Sequence, residues 1–269
     1  VVEPVYVMLL SRNLTTMSQD FYFLLMPGFS MMGFVSALEP LRVANRFGGE
    51  LFRWHILSSD GGPVIASNGM SVNADAALEP LKRGATLWVM GSVDPLKSYT
   101  PTLEHWLRRI DLEGVVLGAI DTGSFVLAQA GLLEGYRLTL HWEALDAFKE
   151  TFPRLQATQE LFEIDRRRIT SAGGTASIDM MLDLIGQAHG PDMAIKVSEQ
   201  FVLGRIRQRK DHQRMQIATR NPSPAGTAVS PAPQRYAKQL LPWAAAGKGQ
   251  AAAAAERHER AGGQYRVRV

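Results

Sequence analysis

Apolar residues recur along residues 20 to 210 in two styles. Phe21 to Met26, Leu87 to Met90 and Val115 to Ile120 are short uninterrupted runs rich in branched or aromatic side chains, the pattern of strands buried on both faces. Phe52 to Ser59 alternates as a half-buried strand does, and Val64 to Ala66 with Met70 to Val72 predict a hairpin about Asn68-Gly69. Helical spacing takes over between these runs. Met31, Phe34, Val35, Leu38 and Leu41 share one face after Ser30, a plausible N-cap, with Pro40 expected to kink or restart the helix. Leu103, Trp106, Leu107 and Ile110 form a second stripe, and Ile178, Met181, Leu182 and Ile185 a third. A last helix is expected over residues 191 to 209, with Ala194, Val197, Phe201, Val202 and Ile206 as its apolar positions. Short strands near Leu138 to Leu140, Leu161 to Ile164 and Ile169 to Ser171 complete the series, and His141-Trp142-Glu143 opens a helix reaching about Thr151. This alternation with short connections predicts an α/β fold, a doubly wound, mostly parallel sheet sandwich of flavodoxin-like type.

The run Val115 to Ile120 ends abruptly at Asp121-Thr122-Gly123-Ser124, and a buried helix follows from Phe125 with Gly131 as its stop. Strand, sharp polar turn and helix in succession make a nucleophile-elbow layout, which raises one side chain over the carboxyl end of a sheet. Here that side chain is Asp121. A carboxylate suits the holding of a cation better than acyl transfer. The competing reading is that Asp121 caps its helix through the Ser124 amide.

Composition narrows the choice of chemistry. The 269 residues include no cysteine, which removes disulfides, thiolate metal sites and a thiol nucleophile. Hydrophobic content of 46% allows a packed core, and no stretch is long and apolar enough to predict a membrane span. The pI near 9.3 reflects one end of the chain. Residues 216 to 269 hold eight Lys/Arg against two Asp/Glu, a net of +6, which leaves residues 1 to 215 at −3. Residues 19 to 215 are therefore expected to form the domain. Residues 1 to 18 read as a disordered leader without the marks of a signal peptide, so a cytoplasmic location is expected. Residues 216 to 269, rich in Ala, Pro and Arg, read as disordered or as a weak alanine helix.

Seven segments carry a resemblance: Ala37-Leu-Glu-Pro-Leu-Arg-Val-Ala-Asn45, Phe52-Arg-Trp-His55, Gly118-Ala-Ile-Asp-Thr-Gly-Ser124, Ala128-Gln-Ala-Gly-Leu-Leu133, Leu140-His-Trp-Glu143, Thr170-Ser-Ala-Gly-Gly-Thr175 and Asp211-His-Gln-Arg214. In this order they resemble the GlxA-like transcriptional regulators, in which a PfpI/ThiJ-like domain of the class I glutamine amidotransferase-like fold precedes an AraC/XylS helix-turn-helix. The resemblance implies a ligand-sensing domain, a homodimer, and inducers such as arginine, glycine betaine or carnitine. It places Glu39 and His141 at the pocket beside the elbow. Two departures stand out: Asp121 replaces the cysteine of the enzymatic relatives, and no helix-turn-helix pattern follows Arg214. The tail reads as translation out of frame, or as a truncation or divergent end.

Two functions compete at this point. A sensor would use Asp121, Thr122, Glu39, His141 and Trp142 around a cationic head group, with Trp142 or Trp54 offering an aromatic face. An enzyme of the PfpI/ThiJ type would need an activated nucleophile, for which only Thr122 and Ser124 stand near. An inert oligomerisation module is the third possibility. No catalytic residue, metal or cofactor is expected, and specific DNA binding is not expected of a chain lacking the groove-reading element.

Overall fold

The computed structural model describes residues 18 to 214. The expectations for residues 1 to 17 of the leader and for the tail, 216 to 269, fall outside the described residues. Six strands form the central sheet: β1 (Gln19–Leu25), β2 (Phe52–Leu57), β5 (Thr86–Met90), β6 (Val116–Ile120), β9 (Phe162–Asp165) and β10 (Arg168–Ser171). Their order is β2-β1-β5-β6-β10-β9, and only the edge strand β9 runs antiparallel to its neighbour. Strands β3 (Val64–Ile65) and β4 (Ser71–Val72) make the expected hairpin. Strand β7 (Arg137–Thr139) pairs in parallel with β8 (Gln156–Thr158), an element the sequence pattern does not predict.

Helices cover both faces. On one side lie α1 (Met31–Gly48), α5 (Ala176–His189) and α6 (Pro191–Gln200); on the other lie α2 (Pro101–Leu112), α3 (Gly123–Gln129) and α4 (Leu145–Thr151). Strand β1 shows why its sequence reads as unbroken apolar residues. Phe21, Phe23 and Leu25 enter the core under α1 and α5, whereas Tyr22, Leu24 and Met26 enter the core under α2 and α3. Successive side chains point to opposite faces, so a strand covered twice has no polar side. This is the doubly wound, mostly parallel sandwich expected from the alternation.

Three local features bear on the site. Ser30 caps α1 by accepting the Gly33 N–H at 3.2 Å, and α1 runs as one element through Pro40 instead of restarting there. Trp88 on β5 is fully buried and lies in register with Gly118 on β6; a Cβ at 118 would stand 2.3 Å from the indole Cε3. Helix α6 ends at Gln200, well short of Arg209. The apolar spacing continues past that point, but Val202 takes φ 54° and is 90% exposed, so the periodicity there does not mark a buried helical face. Residues 201 to 214 instead run as an irregular strap, and among the described residues no helix is long and apolar enough to cross a membrane.

Candidate functional site

The site forms at the carboxyl ends of β5, β6 and β10, the end of the sheet where open α/β proteins bind ligands. The β6–α3 turn sits directly on the end of β5. At Gly91 a Cβ would lie 2.1 Å from the Gly123 nitrogen, and at Gly123 a Cβ would lie 2.2 Å from the Val89 carbonyl oxygen. Only glycines permit this approach. Asp121 takes φ 62°, the left-handed region that Asp tolerates better than most residues, and its amide donates to the Ser171 carbonyl at 3.0 Å. The sharp turn expected at Asp121 is therefore present in the backbone.

Capping does not account for the acid. The N-cap of α3 is Thr122, which makes no side-chain cap bond, and the Asp121 carboxyl takes a hydrogen bond from the Thr122 N–H instead of the Ser124 N–H. Burial pushes the Asp121 carboxyl up to about 6, against the pull of nearby His141 and the Thr122 N–H, with Glu143 pushing it further up. Among the described residues no lysine or arginine forms an ion pair with Asp121. Gly173, at φ 85°, gives the side chain its room, since a Cβ there would stand 2.9 Å from the Asp121 Cβ and 3.0 Å from Oδ2.

The other expected residues divide. His141 joins Asp121 electrostatically. Its Nδ1 accepts the Glu143 N–H at 3.4 Å, which in the neutral ring leaves the proton on Nε2. Glu143 is a member of the site that the sequence reading passed over, although it stands in the same Leu140-His-Trp-Glu143 segment; its carboxylate lies 3.9 Å from His141 Nδ1. Trp142 follows His141 with the two rings 5.6 Å apart, and the Arg214 guanidinium lies over its indole at 4.5 Å. Thr122 is buried and spends its hydroxyl on the Ser92 carbonyl, so it shapes the turn. Ser124 is buried too and donates to the Thr139 carbonyl at 3.0 Å. Glu39 forms an ion pair with Arg42 at 2.6 Å along α1, and no bond joins it to Asp121 or His141. Trp54 sits on β2 against the core under α1, which is a packing role. Among the described residues no group of three or more acidic or histidine side chains is disposed to hold a metal.

An open parallel sheet whose elbow carries an exposed-side, half-buried acid defines a class: the flavodoxin-like domains with a functional strand–turn–helix elbow. The chain belongs to the DJ-1/PfpI family, whose model matches residues 20 to 187. It is 72% identical over 204 residues to the HTH-type transcriptional regulator CdhR of Pseudomonas aeruginosa, covering 76% of this chain and 61% of that protein. It is 45% identical over 200 residues to the HTH-type transcriptional regulator GbdR of the same species, covering 74% of this chain and 54% of that one. The crystal structure of an AraC family transcriptional regulator from Pseudomonas putida superposes with a TM-score of 0.62 at 28% identity, covering 68% of this chain and 99% of that one. The chain thus spans somewhat over half the length of the curated regulators it matches.

Proposed function

We propose that residues 19 to 214 are a non-enzymatic sensor domain of a transcriptional regulator, and that the domain binds a small amine or amino-acid-like metabolite through its cationic group. Asp121 carries the reading. It is held at the elbow in a backbone conformation few residues adopt, partly withdrawn from water, with no lysine or arginine among the described residues paired to it. A carboxylate in that condition gains most from a cation brought by a ligand. His141 and Glu143 line the approach, each with a side chain 34% exposed. Trp142 supplies an aromatic surface, and Thr122 holds the turn. Glu39 enters the pocket only if its pair with Arg42 opens when a ligand arrives.

Support for a non-catalytic role comes from the hydroxyls. Thr122 and Ser124 both donate to backbone carbonyls, and neither is hydrogen-bonded to His141, so the elbow hydroxyls form no Ser–His or Thr–His pair that would generate a nucleophile. The similarity to CdhR and GbdR supports the regulatory half of the reading. A homodimer is favoured by an apolar patch beside the site: Met32 and Val35 on α1 are 59% and 42% exposed, and Ile65 and Met70 of the hairpin 62% and 60%. The Ile65 carbonyl accepts the Gly28 N–H at 2.8 Å, which brings hairpin and helix start together. No DNA contact is assigned to this domain.

The test is calorimetric titration of the chain with carnitine, glycine betaine and arginine, repeated with Asp121→Asn. Binding by the parent, weakened about tenfold or more in the variant, supports the reading, because the variant loses the charge that attracts a quaternary ammonium and, for arginine, a charge-assisted hydrogen bond of about 1.5–3 kcal/mol. Equal affinity in the two proteins, or tight binding of an anionic metabolite only, defeats it.

A further inference from the structure

Residues 201 to 214 contain no helix or strand, yet they are fixed at successive points to both walls of the elbow site. Arg207 grips the buried Asp179 with Nε at 2.9 Å and Nη2 at 2.6 Å, and its backbone N–H donates to the same carboxylate at 2.8 Å. The same guanidinium donates to the Thr175 hydroxyl at 2.9 Å. Thr175 closes the turn in which Gly173 packs against Asp121. That is one wall.

The other wall is Thr139 to Glu143. The Gln213 side-chain amide donates to Thr139 Oγ1 at 3.2 Å, to the Leu140 carbonyl at 3.2 Å and to the Glu160 carbonyl at 2.9 Å. Arg214 then covers the Trp142 ring. Thr139 is itself tied to the elbow, because its carbonyl accepts the Ser124 hydroxyl, and its N–H donates to Thr170 at the end of β10. Between these anchors the Arg209 carbonyl accepts the Leu161 N–H at 2.9 Å, and its guanidinium reaches the buried Glu163 at 3.3 Å.

Phe201, Leu203 and Ile206 pack the first half of the strap against the core under α1 and α5, whereas its end at Gln213 and Arg214 is held by polar and ring contacts. A groove of about 760 Å³ is lined by Ile206 and Gln208 together with Leu182, Gly186 and Ile195 of α5 and α6. An end fastened by polar and ring contacts can come away without unfolding what lies beneath it, while Arg207 and Arg209 keep the rest of the strap on its buried acids.

We propose that Gln213 and Arg214 are positioning residues of the ligand site. By pinning Thr139, Leu140 and Trp142 they hold His141 and Glu143 at their stations opposite Asp121, while Arg207 pins the opposite wall through Thr175. Ligand binding and strap docking then favour each other, and by reciprocity the occupied site holds the strap down more firmly than the empty one. The chain that continues beyond Arg214 leaves from the end of this strap, so occupancy of the site is reported at that exit. The proposal rests on the sensor reading above, but its first test does not require a ligand.

Amide hydrogen exchange is measured on the full chain without ligand, and on Gln213→Ala and Arg214→Ala. Exchange over residues 139 to 145 is expected to quicken about fivefold or more, with strand β2 unchanged. No change over 139 to 145, or an equal rise in β2, overturns the proposal. In the second test the parent and both variants are titrated with carnitine and with tetramethylammonium chloride. Weaker binding in the variants, together with slower exchange of the Leu161, Arg207 and Gln208 amides in the liganded parent, supports it. Unchanged or tighter binding in Arg214→Ala overturns it, the latter because Arg214 would then be a competitor for Trp142. Should neither probe bind the parent, the cationic reading falls, and the exchange comparison alone decides the strap's role.

Discussion

Asp121 at the elbow, and Glu163 with Asp179 in the framework around it, are carboxylates withdrawn from water and treated in opposite ways. Glu163 is fully buried and meets Arg137 at 2.9 Å, Arg209 at 3.3 Å and the Thr158 hydroxyl at 2.9 Å. Asp179, 3% exposed, holds Arg207 through both side-chain oxygens. Each of these acids has its charge answered by the chain itself. Asp121 has only one N–H and a neighbouring histidine to set against its burial, and burial pushes its carboxyl up to about 6. A buried acid that is paired with arginine is part of the framework; one left short of a cation is poised to accept one from elsewhere. Both kinds can look alike in sequence.

The sharpest way to break this contrast is to delete the acids in turn. Glu163→Ala leaves two arginines without their partner and is expected to cost about 3 kcal/mol of stability, partly relieved because both arginines can turn to water. Urea unfolding followed by circular dichroism gives the value. Asp121→Asn should move stability the other way. A carboxyl raised in the folded protein stabilises it below the unfolded value and loses that contribution as pH rises through about 6, so at pH 7.5 the ionised acid is a burden. Its removal is expected to gain about 1 kcal/mol at pH 7.5, after discounting for the side chain's partial contact with water, and nothing at pH 3. Equal destabilisation by both variants at pH 7.5 would erase the distinction.

Ligand titration sharpens the contrast further. Cation binding needs the ionised carboxylate, so affinity for the amine that binds at pH 7.5 is expected to fall about tenfold by pH 5, with proton release on binding near pH 6. Titrations in buffers of differing ionisation enthalpy measure both, and affinity independent of pH would remove Asp121 from the contact. The smallest expected effect belongs to Gly173→Ala. With φ at 85° and the new Cβ against Asp121, it should cost about 1 kcal/mol in stability while displacing the carboxylate enough to weaken the ligand further. Thermal melts and calorimetry on the same protein separate the two losses.

The elbow was legible because three signals coincide there: a buried strand, a polar turn and an apolar helix, with Asp121 at the junction. The central sheet was legible for the same reason, since residues buried on both faces leave no polar alternation to confuse them. The strap was not. Phe201, Val202 and Ile206 continue the spacing of α6, and periodicity alone carries the helix on to Arg209. Pairing of Arg207 with Asp179 and of Arg209 with Glu163 spans 28 and 46 residues of sequence, and no local pattern reveals it. Those contacts replace the helix with a segment that reaches across the domain. Glu39 is a different case. The helix pattern alone reads it as a solvated side chain and only the family resemblance points it to the pocket; Arg42, three residues on, engages it along the helix. Strand β8, at three residues, is too short for any pattern to announce.

Trp88 and Gly118, side by side on β5 and β6, cannot vary independently. In the present core Gly118→Ala drives a methyl into the indole, where a Cβ would stand 2.3 Å from Cε3. Once Trp88 has been exchanged for leucine, that same methyl falls into vacated space and helps to fill it. One substitution is therefore harmful or helpful according to which came first. Of the two mutational routes to a smaller residue at 88 with a larger one at 118, only the route that begins at Trp88 stays passable, and the order of steps at the centre of this sheet is fixed by the shape of a single ring.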